Sequence, residues 1–409
     1  MENETCPATG QAQEPQTAVE FRTWLRGQAH KALMALVAQE VDALCGPCYH
    51  PSSESHYRSG GVDSPVYVDG RPEKLHRPRV RRKTATGSEE TLLKSWQMAQ
   101  DPAEWEEAMY RAILCGVSTR KVASLRESEL RGESKSSLSR LWQKKAAELV
   151  EEFGQRDLAG IDMLVLMLDA VVLCRDLVAT VALAIDTTGA KHVLGYRIGS
   201  SENKEVCADL LADLLKRGLK MPAKRSLYAV LDGSQALQTA LLQTYPGTLV
   251  QRCLVHKERN VRRYLPRKYW GKLAELFKRL RSSQGAEAGK EAAEQIEQFL
   301  RDRNAQALVS FEEAGADLLT LFRLEVPSTL NVSLLSTNSI ENVFKNLRRH
   351  IGRVCRWREN TAQADLWLAS GIKLAQQGLR KIRNYQELPK LIAALEKSWQ
   401  QTHEQAAQK

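Results

Sequence analysis

Two aspartates and one glutamate stand where carboxylates could share a cation. Asp169 follows the apolar run MLVLML, and Asp232 follows YAVL with Gly233 opening a turn. Both runs have the length and composition of strands, so each acid is expected at a strand end. Carboxylates at the ends of adjacent strands can converge above a sheet, and hard divalent cations prefer such oxygen ligands, which suggests magnesium. An aspartate at a strand end also serves as a turn or helix cap. The third acid is Glu341, in STNSIENVFKNLRRH. Ile340, Val343, Phe344, Leu347 and Ile351 recur at helical spacing and define a buried stripe, leaving Glu341, Lys345 and Arg348 together on another face. An acid in line with cations suits phosphate chemistry. The competing reading is a helix start, with Asn338 as the cap and Glu341 as its partner three residues later.

One helix beyond the second aspartate, QRCLVHKERNVRRYLPRK carries Arg252, Lys257, Arg259, Arg262, Arg263, Arg267 and Lys268. Such a density of cations suits contact with phosphates. Within it, Cys253 and His256 have a Cys-x-x-His spacing. Two ligands fall short of the roughly four that a structural zinc normally needs. Cys45 and Cys48, with His50 or His56, could add ligands, but the chain contains no complete local quartet. A redox role for Cys45 and Cys48 is a further alternative.

These residues belong to a chain of 409 residues with 59 Lys plus Arg against 49 Asp plus Glu, a formal charge of +10. The basic excess points to a polyanionic partner. With 43% hydrophobic and 26% charged residues the composition is that of a globular protein and excludes wholesale disorder. The apolar stretch from Leu164 to Ile185 contains Asp169, Arg175 and Asp176, each costly at a bilayer centre, so it is not read as a membrane span. The opening MENETCPATGQAQEPQT reads as a polar tail without a secretion signal. Eight scattered cysteines suit free thiols in a reducing cytoplasm.

The elements that must position the acids follow from periodicity. Leu25, Ala29, Ala32, Leu33, Leu36, Val37 and Val41 predict an amphipathic helix. Cys45 to Gly87 is rich in Gly, Pro, Ser and Arg, and Tyr67-Val68 beside Asp69-Gly70 predicts a small hairpin whose end, Arg71 to Lys83, is densely basic. Glu104 to Phe153 divides into WEEAMYRAIL, STRKVASL and SKSSLSRLWQKKAAELVEEF, with Ser118 and Ser134 placed as caps. Three short helices with Gly-containing turns fit a helix-turn-helix unit; an ordinary three-helix bundle is the competing reading. In the first reading Lys135, Ser136, Ser137, Ser139, Arg140 and Lys144 lie near the leading end of the helix that enters the major groove. MLVLMLDAVVL, LVATVALAID and HVLGYRIG then read as strands, ENKEVCADLLADLLKRGL as a helix and SLYAVLD as another strand, which describes a mixed sheet with a helical layer. Trp270 to Leu324 is helix-forming and reads as a block inserted between two parts of one domain. A last helix pair fills Asn338 to Gly378 and Leu388 onward. Trp357 and Trp367 could stack on an unpaired base, although their spacing also suits core packing.

The strings LDA at Asp169, LDG at Asp232, QRCLVHKERNV at Gln251 to Val261 and STNSIENVFKNLRR at Ser336 to Arg349, in this order, resemble the Mutator-type DDE transposases of bacterial insertion sequences. The upstream HYRSGGVDSPVYVDGRPEKLHRPRVRR and the two helical strings that follow Gly116 and Gly132 resemble the same family, so the likeness covers most of residues 50 to 375. Departures are Asp-Ala in place of Asp-Gly at the first motif, Asn342-Val343-Phe344 after the glutamate in place of an Arg-rich string, and an unfamiliar start before Cys45.

The resemblance implies an α/β protein with a ribonuclease-H-like mixed-sheet catalytic core interrupted by an all-α insertion, preceded by an α-helical helix-turn-helix DNA-binding region. The expected divisions are 1–100 for the tail, helix and basic hairpin, 101–156 for the helix-turn-helix, 157–268 and 331–409 for the two parts of the core, and 269–330 for the insertion. Carried over position by position, Asp169, Asp232 and Glu341 match the three metal-binding catalytic acids, and Cys253 and His256 match the Cys-x-x-His pair. The implied chemistry is Mg²⁺-dependent DNA cleavage and strand transfer, with two ions and Mn²⁺ as a substitute. Implied partners are double-stranded DNA, as terminal inverted repeats and target, and further copies of the chain on that DNA, in the cytoplasm at the nucleoid and without a membrane. Candidate DNA contacts are Lys135, Ser137, Arg140, Lys144, Arg252, Lys257, Arg259, Arg262, Lys345, Arg348 and Arg349. The alternatives are a ribonuclease-H-like nuclease that does not join strands and a domesticated, inactive DNA-binding regulator; a zinc-dependent structural protein would rest on the Cys pairs alone.

Overall fold

A computed structural model of the chain describes residues 17–68, 71–117, 135–201, 203–352, 354, 356–358 and 361–407. The chain divides into two compact units, Met1–Trp142 and Gln143–Lys409.

In the first unit, α1 (Ala18–Cys45) begins with a capping box: Thr17 accepts the Glu20 N–H while Glu20 accepts the Thr17 N–H. Only Val37, Val41 and Cys45 of this helix are buried, so Leu25 and Leu36, which the periodicity groups with the core face, are exposed. An antiparallel sheet follows, made of β1 (His56–Val68), β2 (Arg71–Thr84) and β3 (Gly87–Thr91). Val68 pairs with Arg71 and His56 with Arg82, a far longer hairpin than the one the Asp69-Gly70 signal suggests. Val66, Val68 and Val80 meet Val37, Val41 and Trp96 in a small core, the last from α2 (Lys94–Ala99). The amides that open α2 are satisfied from outside it, since Glu40 of α1 accepts both the Lys94 and the Ser95 N–H.

Two of the three helical pieces expected next are α3 (Ala103–Leu114) and α4 (Lys135–Gln155). The middle piece, STRKVASL, lies outside the described residues together with Ser118 and Ser134, the expected caps.

The second unit is built on a sheet of β4 (Met163–Cys174), β5 (Leu177–Asp186), β6 (Lys191–Gly199), β7 (Tyr228–Leu231) and β8 (Leu249–Arg252), in the order β6-β5-β4-β7-β8. The apolar stretch Leu164 to Ile185 is therefore a hairpin, and no helix of the described residues is long and apolar enough to cross a membrane. β4, β5 and β6 pair antiparallel through tight turns; β7 is parallel to β4 and β8 to β7. Parallel neighbours need crossovers, which α5 (Lys204–Lys216) and α6 (Gln235–Thr244) supply.

Strand alternation then assigns each side chain to one of two cores. Leu166 and Leu168 of β4 and Ala229 and Leu231 of β7 pack with Leu210, Leu214, Leu237 and Leu241 of α5 and α6. Val165 and Met167 of β4 and Tyr228 and Val230 of β7 face the opposite way. That second face is covered by α13 (Asn338–Ile351), α14 (Gln363–Gln377) and α15 (Leu388–Ala407), through residues such as Val343, Leu347, Leu368 and Leu391. The stretch Asn338 to Gly378 thus breaks into two helices, and they pack closely. A Cβ on Gly371 of α14 would fall 2.5 Å from Leu347 Cδ1 of α13. Trp357 and Trp367 pack against this core, as their spacing suggested.

Between β8 and α13 lie α7 (Leu254–Arg262), α8 (Trp270–Ser282), α9 (Gly285–Arg301), α10 (Ala305–Glu312), α11 (Thr320–Arg323) and α12 (Asn331–Leu334). Phe277 of α8 meets Phe311 of α10 edge to face at 5.9 Å, both fully buried. Burying each such ring contributes roughly 1.5–3 kcal/mol, so the inserted helices have a core of their own that is continuous with the sheet's.

Candidate active site

The alternation that buries Val165 and Met167 places Asp169 next on the same face of β4, toward α13. In β7 the same rule carries Tyr228 and Val230 on to Asp232. Leu168 pairs with Leu231 in the parallel ladder, so Asp169 and Asp232 are the next residues on neighbouring strands. Asp169 does not end its strand: β4 continues to Cys174 against β5, and it is β7 that stops beside it. The strand-end expectation fails here because the local apolar run is shorter than the hairpin pairing that extends it.

Asp169 is 6% exposed, and its Oδ1 accepts the Ala170 N–H at 2.8 Å. Burial, then the charge of Asp232, raise its carboxyl to about 7, with Glu341 adding to the rise and His256 opposing it. Asp232 sits in a turn where its Oδ1 accepts the Ser234 N–H at 2.9 Å, and Ser234 in turn caps α6.

Glu341 lies in the first turn of α13, whose N-cap is Thr337 and has no side-chain cap bond. The Asn338–Glu341 capping pair is therefore not formed. The Glu341 carboxylate reaches across to α7 instead, with Oε1 at 3.3 Å from His256 Nε2 and 3.2 Å from Arg259 Nη1. His256 is held from behind by the Thr337 hydroxyl, 3.3 Å from Nδ1 and 3.4 Å from Cys253 Sγ, while the Thr337 N–H also donates to Sγ. Hydrogen bonding to Cys253 raises His256 to about 9 against its burial, with the charges of Cys253, Asp169 and Glu341 adding to the rise. Burial pushes the Cys253 thiol up, but His256 and Thr337 outweigh it and leave the thiol below its ordinary value. The Cys-x-x-His pair thus presents a readily protonated imidazole to Glu341, with the Cys253 thiol behind it.

Ligand atoms of Asp169, His256 and Glu341 all lie within 4.8 Å of one another. Among the described residues no other group of His, Cys, Asp and Glu makes such a cluster, including Cys45 and Cys48, which are a buried and an exposed free thiol. Two clustered carboxylates, one of them raised by burial and then by its neighbours' charge, are an oxygen donor set that Mg²⁺ or Mn²⁺ fits. Asp169, His256, Arg259, Asn338, Glu341, Lys345 and Arg348 line a cleft of about 530 Å³.

The remaining candidates separate into two kinds. Lys345, Arg348 and Arg349 of α13 and Lys135, Arg140 and Lys144 of α4 are exposed, Ser137 is half-buried, and Arg262 lies over the Trp270 ring at 4.9 Å. Arg252 and Lys257 are buried, at 4% and 1% exposure, and both bind Glu313. A basic string on paper, Gln251 to Lys268 folds so that these two cations face the inserted helices, where no phosphate can meet them. Sequence reasoning missed Thr337 and Glu313; the threonine lies in the STN string before Glu341, whereas nothing local marks Glu313.

The fold and this cleft meet a family assignment. The profile of the family described as "Transposase, Mutator family" matches residues 1–370, and the chain belongs to that family. The chain is 28% identical over 342 residues, 80% of its length and 82% of the relative's, to the transposase for insertion sequence element IS905 of Lactococcus lactis. It is 26% identical over 342 residues, 80% of its length and 78% of the relative's, to that for IS1081 of Mycobacterium tuberculosis. The transposase for ISRM5 of Rhizobium meliloti is 31% identical over 248 residues, 57% of this chain and 59% of that one.

Proposed function

We propose that the chain is a DNA transposase in which Asp169, Asp232 and Glu341 hold divalent metal, Mg²⁺ or Mn²⁺, for strand cleavage and strand transfer. The observation that carries the reading is the meeting of Asp169 and Glu341 in one cleft with a cationic lining. Asp232 does not line that cleft, but it follows the strand parallel to β4 and lies near enough for its charge to act on Asp169. The strand order β6-β5-β4-β7-β8, with three antiparallel strands followed by two parallel ones, supports a ribonuclease-H-like core. The metal would activate water and stabilise the attacking and leaving oxygens of in-line displacements. Water first displaces a 3′-hydroxyl from phosphorus at the element end; that hydroxyl then displaces a second 3′-oxygen in target DNA, so phosphodiesters are exchanged without a covalent protein intermediate.

The side chains divide the work. Arg259, Lys345 and Arg348 neutralise phosphates at the cleft, and His256 keeps Glu341 turned toward Asp169. Lys135, Ser137, Arg140 and Lys144 at the leading end of α4 are assigned to recognition of the terminal inverted repeats, as the second half of a helix-turn-helix. Assembly of two element ends requires more than one copy on the DNA.

The test is strand transfer by purified protein on a labelled element end with Mg²⁺ or Mn²⁺, beside Asp232→Ala. Joined products from the wild type alone support the reading. Cleavage without joining replaces it with a nuclease, and metal-independent binding without cleavage replaces it with a DNA-binding regulator.

A further inference from the structure

We propose that Arg252 is a positioning residue for Asp232 and that the inserted helices govern it through Glu313. The inference rests on the assignment of Asp232 to the metal-holding acids. Arg252 closes β8 opposite Leu231, the residue before Asp232. Its guanidinium lies against the backbone of Gly233: a Cβ there would fall 2.4 Å from Nη2 and 2.5 Å from Cζ. Glycine, here at a φ of +117°, is the residue that admits both the conformation and the approach.

The guanidinium is aimed by the insertion. Its Nη2 donates to both Glu313 oxygens, at 2.8 and 2.7 Å, at the C-terminal cap of α10. Glu313 also accepts from Lys257 Nζ at 2.6 Å, and Lys257 donates to the Ser310 carbonyl at 2.7 Å. Stability alone explains this cluster poorly, because Arg252 and Lys257 are desolvated while Glu313 stays 44% exposed, so the pairs gain little once desolvation is counted. Uncharged groups already tie the same segment to β8, since Gln251 donates to the Leu318 carbonyl at 2.9 Å and Thr320 to the Val250 carbonyl at 2.6 Å. What the ions add is a planar group fixed under the Asp232 turn. Moving the insertion would therefore move Gly233, and with it the carboxylate that leans on the Ser234 amide.

The experiment compares full-length wild type with Glu313→Gln, Arg252→Lys, Lys257→Met and Asp232→Asn by the rise in thermal midpoint on titrating MnCl₂, without DNA. Glu313→Gln and Arg252→Lys should raise the half-saturating Mn²⁺ concentration by about tenfold, as loss of a supporting partner does at metal sites, while Lys257→Met lowers the midpoint in EDTA but leaves half-saturation within about twofold. Unchanged half-saturation in the first two variants overturns the proposal, as does an equal change in Lys257→Met. Asp232→Asn should lose most of the Mn²⁺ response; a wild-type response there sinks the metal assignment itself. Amide exchange at Gly233 and Ser234 in EDTA gives a second readout, faster in Glu313→Gln and Arg252→Lys and unchanged in Lys257→Met. Unaltered exchange in all three counts against the proposal.

Discussion

Replacing Asp169 by asparagine should stabilise the metal-free protein although it removes a proposed catalytic acid. The carboxyl has moved from 3.8 to about 7. At about 1.4 kcal/mol per unit, its ionised form costs the fold at most about 4 kcal/mol, and asparagine, with its own amide to satisfy, should recover about 2–3 kcal/mol. For a unit of this size that is roughly 5 °C or more in thermal midpoint. The sign follows from proton uptake: between 3.8 and about 7 the folded state holds a proton that the unfolded chain has lost. The penalty is absent below about pH 4, grows through that window and is complete above about pH 7. Thermal melts of wild type and Asp169→Asn in EDTA from pH 4 to 8 should therefore diverge as pH rises. Saturating Mn²⁺ should close or reverse the gap, because a ligand at a hundred times its Kd adds about 2.7 kcal/mol to the wild type alone. An asparagine variant no more stable than wild type at pH 8, or a gap independent of pH, would refute the reasoning.

Other consequences are local. Cys253→Ala removes the leading cause of the raised His256 value, so the imidazole midpoint, followed by NMR, should fall by more than about one unit from about 9. Lys345→Ala with Arg348→Ala should weaken DNA binding uniformly across sequences and reduce the slope of log affinity against log salt by about 2. Phe277→Ala should cost about 3–5 kcal/mol in urea unfolding, since a fully buried ring stacked edge-on against Phe311 is lost.

The fold was legible wherever side chains declare a period. The run Leu177–Asp186 is a strand over the same ten residues that read as one, and the stripe from Ile340 to Ile351 faces the core as its spacing requires. What the local pattern could not give was partnership. Asp169 looked terminal because MLVLML is followed by an acid, whereas pairing with β5 carries the strand five residues further. Glu341 had the spacing of a cap, but the N-cap is Thr337 rather than Asn338 and the carboxylate is drawn to His256 and Arg259. The Cys-x-x-His spacing marked a pair without a task; the packing of α7 against the start of α13 puts His256 beside Glu341, with Cys253 and Thr337 behind it. Arg252 and Lys257 misled in the opposite direction, because a run of cations says nothing about which members face Glu313.

The central claim is that Asp169, Asp232 and Glu341 surround one metal centre. Crystals soaked in MnCl₂ test it most directly through anomalous scattering at the manganese edge. The account predicts peaks within roughly 2.0–2.6 Å of carboxylate oxygens of these acids, lost in Asp232→Asn. Ordered protein with manganese only elsewhere, such as at Cys45 and Cys48, would contradict it.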